Sequence, residues 1–181
     1  MNSSLEAPCR SLHCHCLNLV LARVTAFSWE LYPQPARNSV LTIIEAMEDV
    51  CAASGPASAE QASRRMLGSI GSAAVGAFFE AAEPVAGFLV DVVRCGEHWT
   101  CMAALAVLKQ LGVWSVSSPP LDRVRRTAEG VPLNVALLCV LEEAEPVFRA
   151  AALADASHAG LAAELLMLVG TAPEGKFAHA G

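Results

Sequence analysis

Lysine is nearly missing from this chain: of 12 basic residues only Lys109 and Lys176 are lysines, and 18 acidic residues leave a formal charge of −6. Such a chain has little with which to neutralise phosphates, which argues against a nucleic-acid binder whose affinity rests on counterion release. Charged residues make up 17% of the sequence, against about 25% in ordinary soluble domains. The deficit is filled by hydrophobic residues, at 54%. That much apolar surface excludes disorder over most of the length. A chain of 181 residues can build a core that needs no disulfide or metal to hold it.

Long uninterrupted apolar runs are also missing. The mean hydropathy of +0.44 is high, and the longest candidate for a membrane span runs from Met66 to Val93. Glu80, Glu83 and Asp91 interrupt it and Pro84 stands in its middle; each acid near a bilayer centre would cost about 2.5–3.5 kcal/mol. Its charge-free part, Met66 to Phe79, falls short of the ~20 residues a helix needs to cross. No segment reads as a span.

Cysteine is present in an odd number, as Cys9, Cys14, Cys16, Cys51, Cys95, Cys101 and Cys139. The density is below that of a disulfide scaffold. The last four lie in apolar, helix-like segments, where a thiol behaves as a small hydrophobe. An intracellular reducing compartment, cytoplasm or organelle, is the simpler expectation. Residues 1–37 read as an N-terminal arm or a targeting extension, ending at Pro33 and Pro35. The first charge is Glu6, whereas a secretory signal starts basic.

Catalytic motifs are absent too: there is no Gly-x-Ser-x-Gly, no His-Glu-x-x-His and no calcium loop. Cys9, His13, Cys14, His15 and Cys16 are metal-ligand types, but structural zinc takes two ligand pairs separated by a loop, and neighbouring side chains do not converge on one tetrahedron. Cys95, His98 and Cys101 follow at a spacing of three. Gly96 breaks the helix that would align them, so they read as core or half-buried residues rather than a nucleophile with its base. Glu45, Glu48 and Asp49, and Glu142, Glu143 and Glu145, read as solvated helix faces. Gly68, Gly71 and Gly76 lack the Lys-Ser/Thr of a phosphate loop. No catalytic residue, cofactor or metal is expected, and the chain reads as a non-enzyme.

What is present is helical periodicity. Val40, Ile43, Ile44, Met47 and Val50 fall on one face, opposite Glu45, Glu48 and Asp49. Further helices are expected from Ser58 to Gly71, Pro84 to Arg94, His98 to Leu111, Leu121 to Glu129, Pro132 to Ala144, Pro146 to Asp155 and Ser157 to Val169. Val113 to Pro120 reads as a loop and residues 171–181 as a disordered tail. No period-2 alternation marks a sheet.

Two segments share a signature: Glu83-Pro84-Val85 recurs as Glu145-Pro146-Val147, each opening an apolar helix that a second one follows. Leu67, Leu108 and Leu166 stand four residues before Gly71, Gly112 and Gly170. Helix pairs over 39–71, 83–112, 119–144 and 145–170 follow from this pattern, each too apolar to stand alone. Across about residues 39–170 the chain resembles HEAT and armadillo-type α-solenoids. The likeness is best at 145–170, with Pro early in the first helix, Asp155 at the turn and Gly170 at the end.

The expected fold is therefore all-α, either stacked antiparallel helix pairs or an irregular helical bundle, with a helical-repeat domain over 38–170. The resemblance implies a scaffold that binds other proteins of a multi-subunit assembly. Arg123, Arg125 and Arg126 form the one basic cluster and are the expected partner contacts, since guanidinium groups grip carboxylates and phosphates. The alternative is an accessory subunit that lays its apolar stretch 66–93 against membrane proteins or lipid.

Overall fold

Among the described residues, eight helices and almost no strand make the chain all-α. The computed structural model describes residues 7–32, 39–72, 77–117, 126–127 and 129–170, with the backbone alone at 7–14 and 72. Helix α1 spans Ala7–Ala26 and leads through a 3-10 turn, Trp29–Leu31, to α2 (Val40–Cys51) and α3 (Pro56–Ile70). A two-residue antiparallel ladder, β1 (Gly71–Ser72) on β2 (Ala77–Phe78), precedes α4 (Ala82–Cys95) and α5 (His98–Val116). Then come α6 (Leu133–Glu143), α7 (Glu145–Ala154) and α8 (Ala156–Gly170).

Local chemistry accounts for the helix starts. At α2 the Ser39 N–H donates to Thr42 Oγ1 at 3.2 Å, half of a capping box. Pro56 opens α3 where its missing N–H costs nothing. Within α2, Ile43, Met47 and Val50 are fully buried, as their spacing predicts, while Glu45 and Asp49 face Arg65 of α3. Between α4 and α5 the chain turns at Gly96, whose N–H donates to Val92 O at 2.6 Å. A β-carbon there would lie 2.7 Å from that carbonyl oxygen and 2.4 Å from Thr100 Oγ1, so only glycine allows so close an approach.

Helix α5 is the centre of the packing. It meets α2, α3, α4, α6 and α8, and Leu105, Leu108 and Leu111 are fully buried. It also runs past its expected end at Gly112 to Val116. The reason is tertiary: Gly112 sits where α6 and α8 cross the helix, and a β-carbon would come 3.2 Å from Leu141 Cδ1 and from Leu168 Cδ1. The glycine serves a close crossing and does not end the helix. Among the described residues α5 is the one helix long and apolar enough to cross a membrane by length and composition. The stretch 66–93, longest by sequence, instead has Met66, Ile70, Val85, Leu89 and Val92 turned fully into the interior.

Helices α2 and α3, α4 and α5, and α7 and α8 each pack on their sequence neighbour, as the paired pattern expects. Because α5 touches five other helices, the whole fits the irregular-bundle form of the all-α expectation. The segment 1–37 contributes to the core: Val20, Val24 and Trp29 are buried, and α1 packs on α2 and α4. Trp29 Nε1–H donates to Val24 O at 2.7 Å, and Arg23 reaches Asp91 at 2.7 Å. The β1–β2 ladder departs from the sheet-free expectation. Gly71 permits it, since a β-carbon there would lie 2.6 Å from the Phe78 ring.

Candidate functional site

Arg123 and Arg125 lie outside the described residues. Arg126 is exposed, but its Nη1–H donates to Gly130 O at 2.6 Å, and its backbone bridges to Pro132. It braces the turn before α6, in which Gly130 takes a positive φ of 81°. Of the cysteine-histidine run, the side chains of Cys9, His13 and Cys14 lie outside the described set. His15 is exposed, and Cys16 is half-buried, hydrogen-bonded to the Cys95 thiol. Cys51 is pushed up to about 12, first by burial and then by Cys95 and Glu48. Glu145 pairs with Arg149 on the outer face of α7.

The chemically densest place joins residues far apart in sequence. Asp155 ends α7 in extended backbone and caps α8. Its Oδ1 accepts the Ser157 N–H at 2.9 Å as well as the Ser157 hydroxyl, and its carbonyl oxygen accepts from the His158 N–H at 3.0 Å. This is N-cap chemistry. The second carboxylate oxygen, Oδ2, stands 2.8 Å from Nδ1 of His98 in the first turn of α5. The Ser157 hydroxyl and backbone, then His98, hold the Asp155 carboxyl well below the usual range.

An ionised carboxylate can only accept, so Nδ1 of His98 carries the proton of this contact. His158 Nε2 lies 3.2 Å from His98 O; a carbonyl also only accepts, so His158 donates from Nε2. The two rings stack with centroids 5.0 Å apart and planes 27° from parallel. The Trp99 ring meets His98 edge-on at 4.4 Å. His158 is buried and His98 half-buried.

Beside them opens a cleft of about 530 Å³ whose lining includes Val93, Arg94, Cys101, Pro146, Ala150 and His158. The Cys101 thiol is pushed up to about 11 by burial and by the Asp155 charge. A serine, a histidine and an aspartate meet here, but not as a hydrolytic triad. Ser157 Oγ and Asp155 Oδ2 both lie against Nδ1 of His98, at 3.3 and 2.8 Å, whereas a triad places them on opposite ring nitrogens.

A second feature lies on the outside. Val113 near the end of α5 and Glu164, Met167 and Leu168 of α8 line an apolar hollow of about 240 Å³. Met167 is 63% exposed and Val113 43%. An ion pair between Lys109 and Glu164 joins the two helices at this edge.

By sequence His98 stands with Cys95 and Cys101. In the structure Cys95 faces Cys16, Cys101 is buried, and His98 faces Asp155. The available signal was Asp155-x-Ser157 at a helix start, a capping pattern followed by a histidine in the first turn. No family model matches the chain, and no curated protein or solved structure matches it either.

Proposed function

We propose that this protein is a non-catalytic interaction subunit of a larger assembly, and that it takes up an apolar helix of a partner protein at the hollow between the end of α5 and α8. The observation that carries the reading is the exposed pair Met167 and Val113 beside Leu168. Methionine adapts its shape to an incoming apolar surface, and an amphipathic helix laid in a groove is a common recognition mode. The HEAT-type resemblance of 145–170, the α7–α8 pair, supports the same reading, as does the basic cluster Arg123, Arg125 and Arg126, which would meet an acidic part of the partner. Resemblance of fold is an analogy and carries less weight than the surface itself. The membrane-accessory alternative draws no support from the packing, since the large apolar side chains of 66–93 named above face inward.

The test is affinity purification of the tagged full chain from its native cells, with quantitative mass spectrometry, beside the Met167→Asp and Val113→Asp variants. Stoichiometric proteins that co-purify with the wild type and drop out of both variants, at an unchanged melting temperature, are the expected result. Purification of the wild type alone, or partners retained by both variants, would remove the reading. Light scattering on the pure protein separates a second copy of the chain from a different partner.

A further inference from the structure

We propose that His98, Asp155 and His158 form a binding site for a zinc-class divalent transition ion, with one imidazole nitrogen from each histidine and one carboxylate oxygen as ligands. This is independent of the docking reading above, which concerns the far end of α5. Three arguments support it.

The first is convergence. One candidate ligand atom from each of the three residues lies within 4.8 Å of the others, although His98 and Asp155 are 57 residues apart. Bonds of about 2.0–2.1 Å to tetrahedral zinc put ligand atoms about 3.3 Å apart, so the three side chains need only draw together from where they stand.

The second is the arrangement of the ligands. Each ring has an acceptor against one nitrogen, Asp155 against Nδ1 of His98 and His98 O against Nε2 of His158. Neither remaining nitrogen has a hydrogen-bond partner among the described residues. Neutral imidazole and ionised carboxylate are the forms that bind metal, so uptake weakens as pH falls. The Ser157 hydroxyl and N–H on Asp155 are the outer partners that orient a ligating carboxylate.

The third is access and charge. His158 lines the open cleft, so water and an ion reach the cluster, and three protein ligands leave one coordination position for water. Arg94, the cation on the cleft wall, is held by Asp91 at 3.0 Å. Two imidazoles with one carboxylate suit zinc, cobalt and iron(II) better than calcium or magnesium, which take oxygen.

The experiment titrates the chelator-stripped full chain with Zn²⁺ alone, and with Co²⁺ alone as the visible probe. Cys9, Cys14 and Cys16 are replaced by Ser, and His13 and His15 by Gln, so that the N-terminal run cannot contribute. One equivalent bound is expected, with cobalt absorption lacking thiolate charge transfer. His158→Gln and Asp155→Asn should each weaken binding about tenfold or more; asparagine keeps the helix cap, so the loss reports the ligand. Ser157→Ala should weaken it less, within the range of about 10–100-fold typical of outer partners. No uptake by the arm-substituted protein, or unchanged uptake in His158→Gln, overturns the site. Should either variant fail to fold, histidine ring NMR of the unsubstituted chain decides. Zn²⁺-induced shifts at His98 and His158 support the site, and shifts confined to other histidines overturn it.

Discussion

Helices α5 and α8 are built from nearly the same material and end in opposite surroundings. Each carries a single Lys, Arg, Asp or Glu, Lys109 in α5 and Glu164 in α8, and these two pair with each other. Both are apolar around most of their circumference. Yet α5 is enclosed by five helices, while α8 rests on α5, α6 and α7 and leaves Met167 at 63% exposure. Apolar composition therefore does not say which helix is core. Position in the packing does, and a single exposed apolar side chain is ordinary on a protein surface. The hydrophobic excess read from composition is thus spent unequally, mostly on the interior around α5, with Leu31, Leu41, Leu153 and Met167 left outside.

The sharpest way to break this comparison is to truncate one side chain in each helix. Leu108→Ala, at a fully buried position of α5, should cost about 2–5 kcal/mol through lost burial and the cavity left behind. Met167→Ala in α8 should change stability by no more than about 0.5 kcal/mol. Urea unfolding of both variants measures the two values on one scale. Similar losses would mean that the outer face of α8 is already covered within the monomer.

Glycine gives a smaller contrast of the same kind. Gly112→Val pushes side-chain atoms into Leu141 and Leu168, which already stand 3.2 Å from where a β-carbon would be. Overpacking of this sort costs about 1–3 kcal/mol. Gly160 of α8 is exposed and has nothing within 4 Å of a β-carbon position. Gly160→Ala should therefore stabilise the protein by up to about 1 kcal/mol, the helix-propensity difference between the two residues. Thermal melts of the pair should move in opposite directions, and a fall in both would show α8 packed where the structure leaves it open.

How much of this was legible beforehand depends on the range of the interactions involved. The inward face of α2 was, because Ile43, Met47 and Val50 repeat at the helical period and their opposite face carries Glu45 and Asp49. The start of α7 at Glu145-Pro146 was legible for the same local reason. The end of α5 was not. Gly112 followed by Val113 and Trp114 has the local appearance of a stop, and only the crossing of α6 and α8 keeps that segment helical. The burial of Trp29 was equally hidden, since nothing near it in sequence announces Phe88 as its neighbour at 6.0 Å. The candidate metal cluster is the extreme case. Its three residues carry no spacing signal, because α8 must pack along α5 before Asp155 can meet His98.

The contact that joins the starts of the two helices supplies the smallest and most specific test. In chelator-treated protein Asp155→Asn keeps the cap of α8 but loses the charged partner of His98. Asp155 has its carboxyl lowered in the folded protein, so the native state binds its proton less readily than the unfolded chain does. The stability this contributes is present in full above the unfolded carboxyl range, near about 3.9, and is lost as pH falls through the lower folded value. The wild type should thus melt slightly higher than the variant at pH 7, and the gap should close on acidification below pH ~4. The gap should be modest, because Asp155 is part-exposed and solvent screens such pairs. A gap that stayed constant down to the acid limit would mean that the Asp155 charge, against Ser157 and His98 alike, adds nothing to stability.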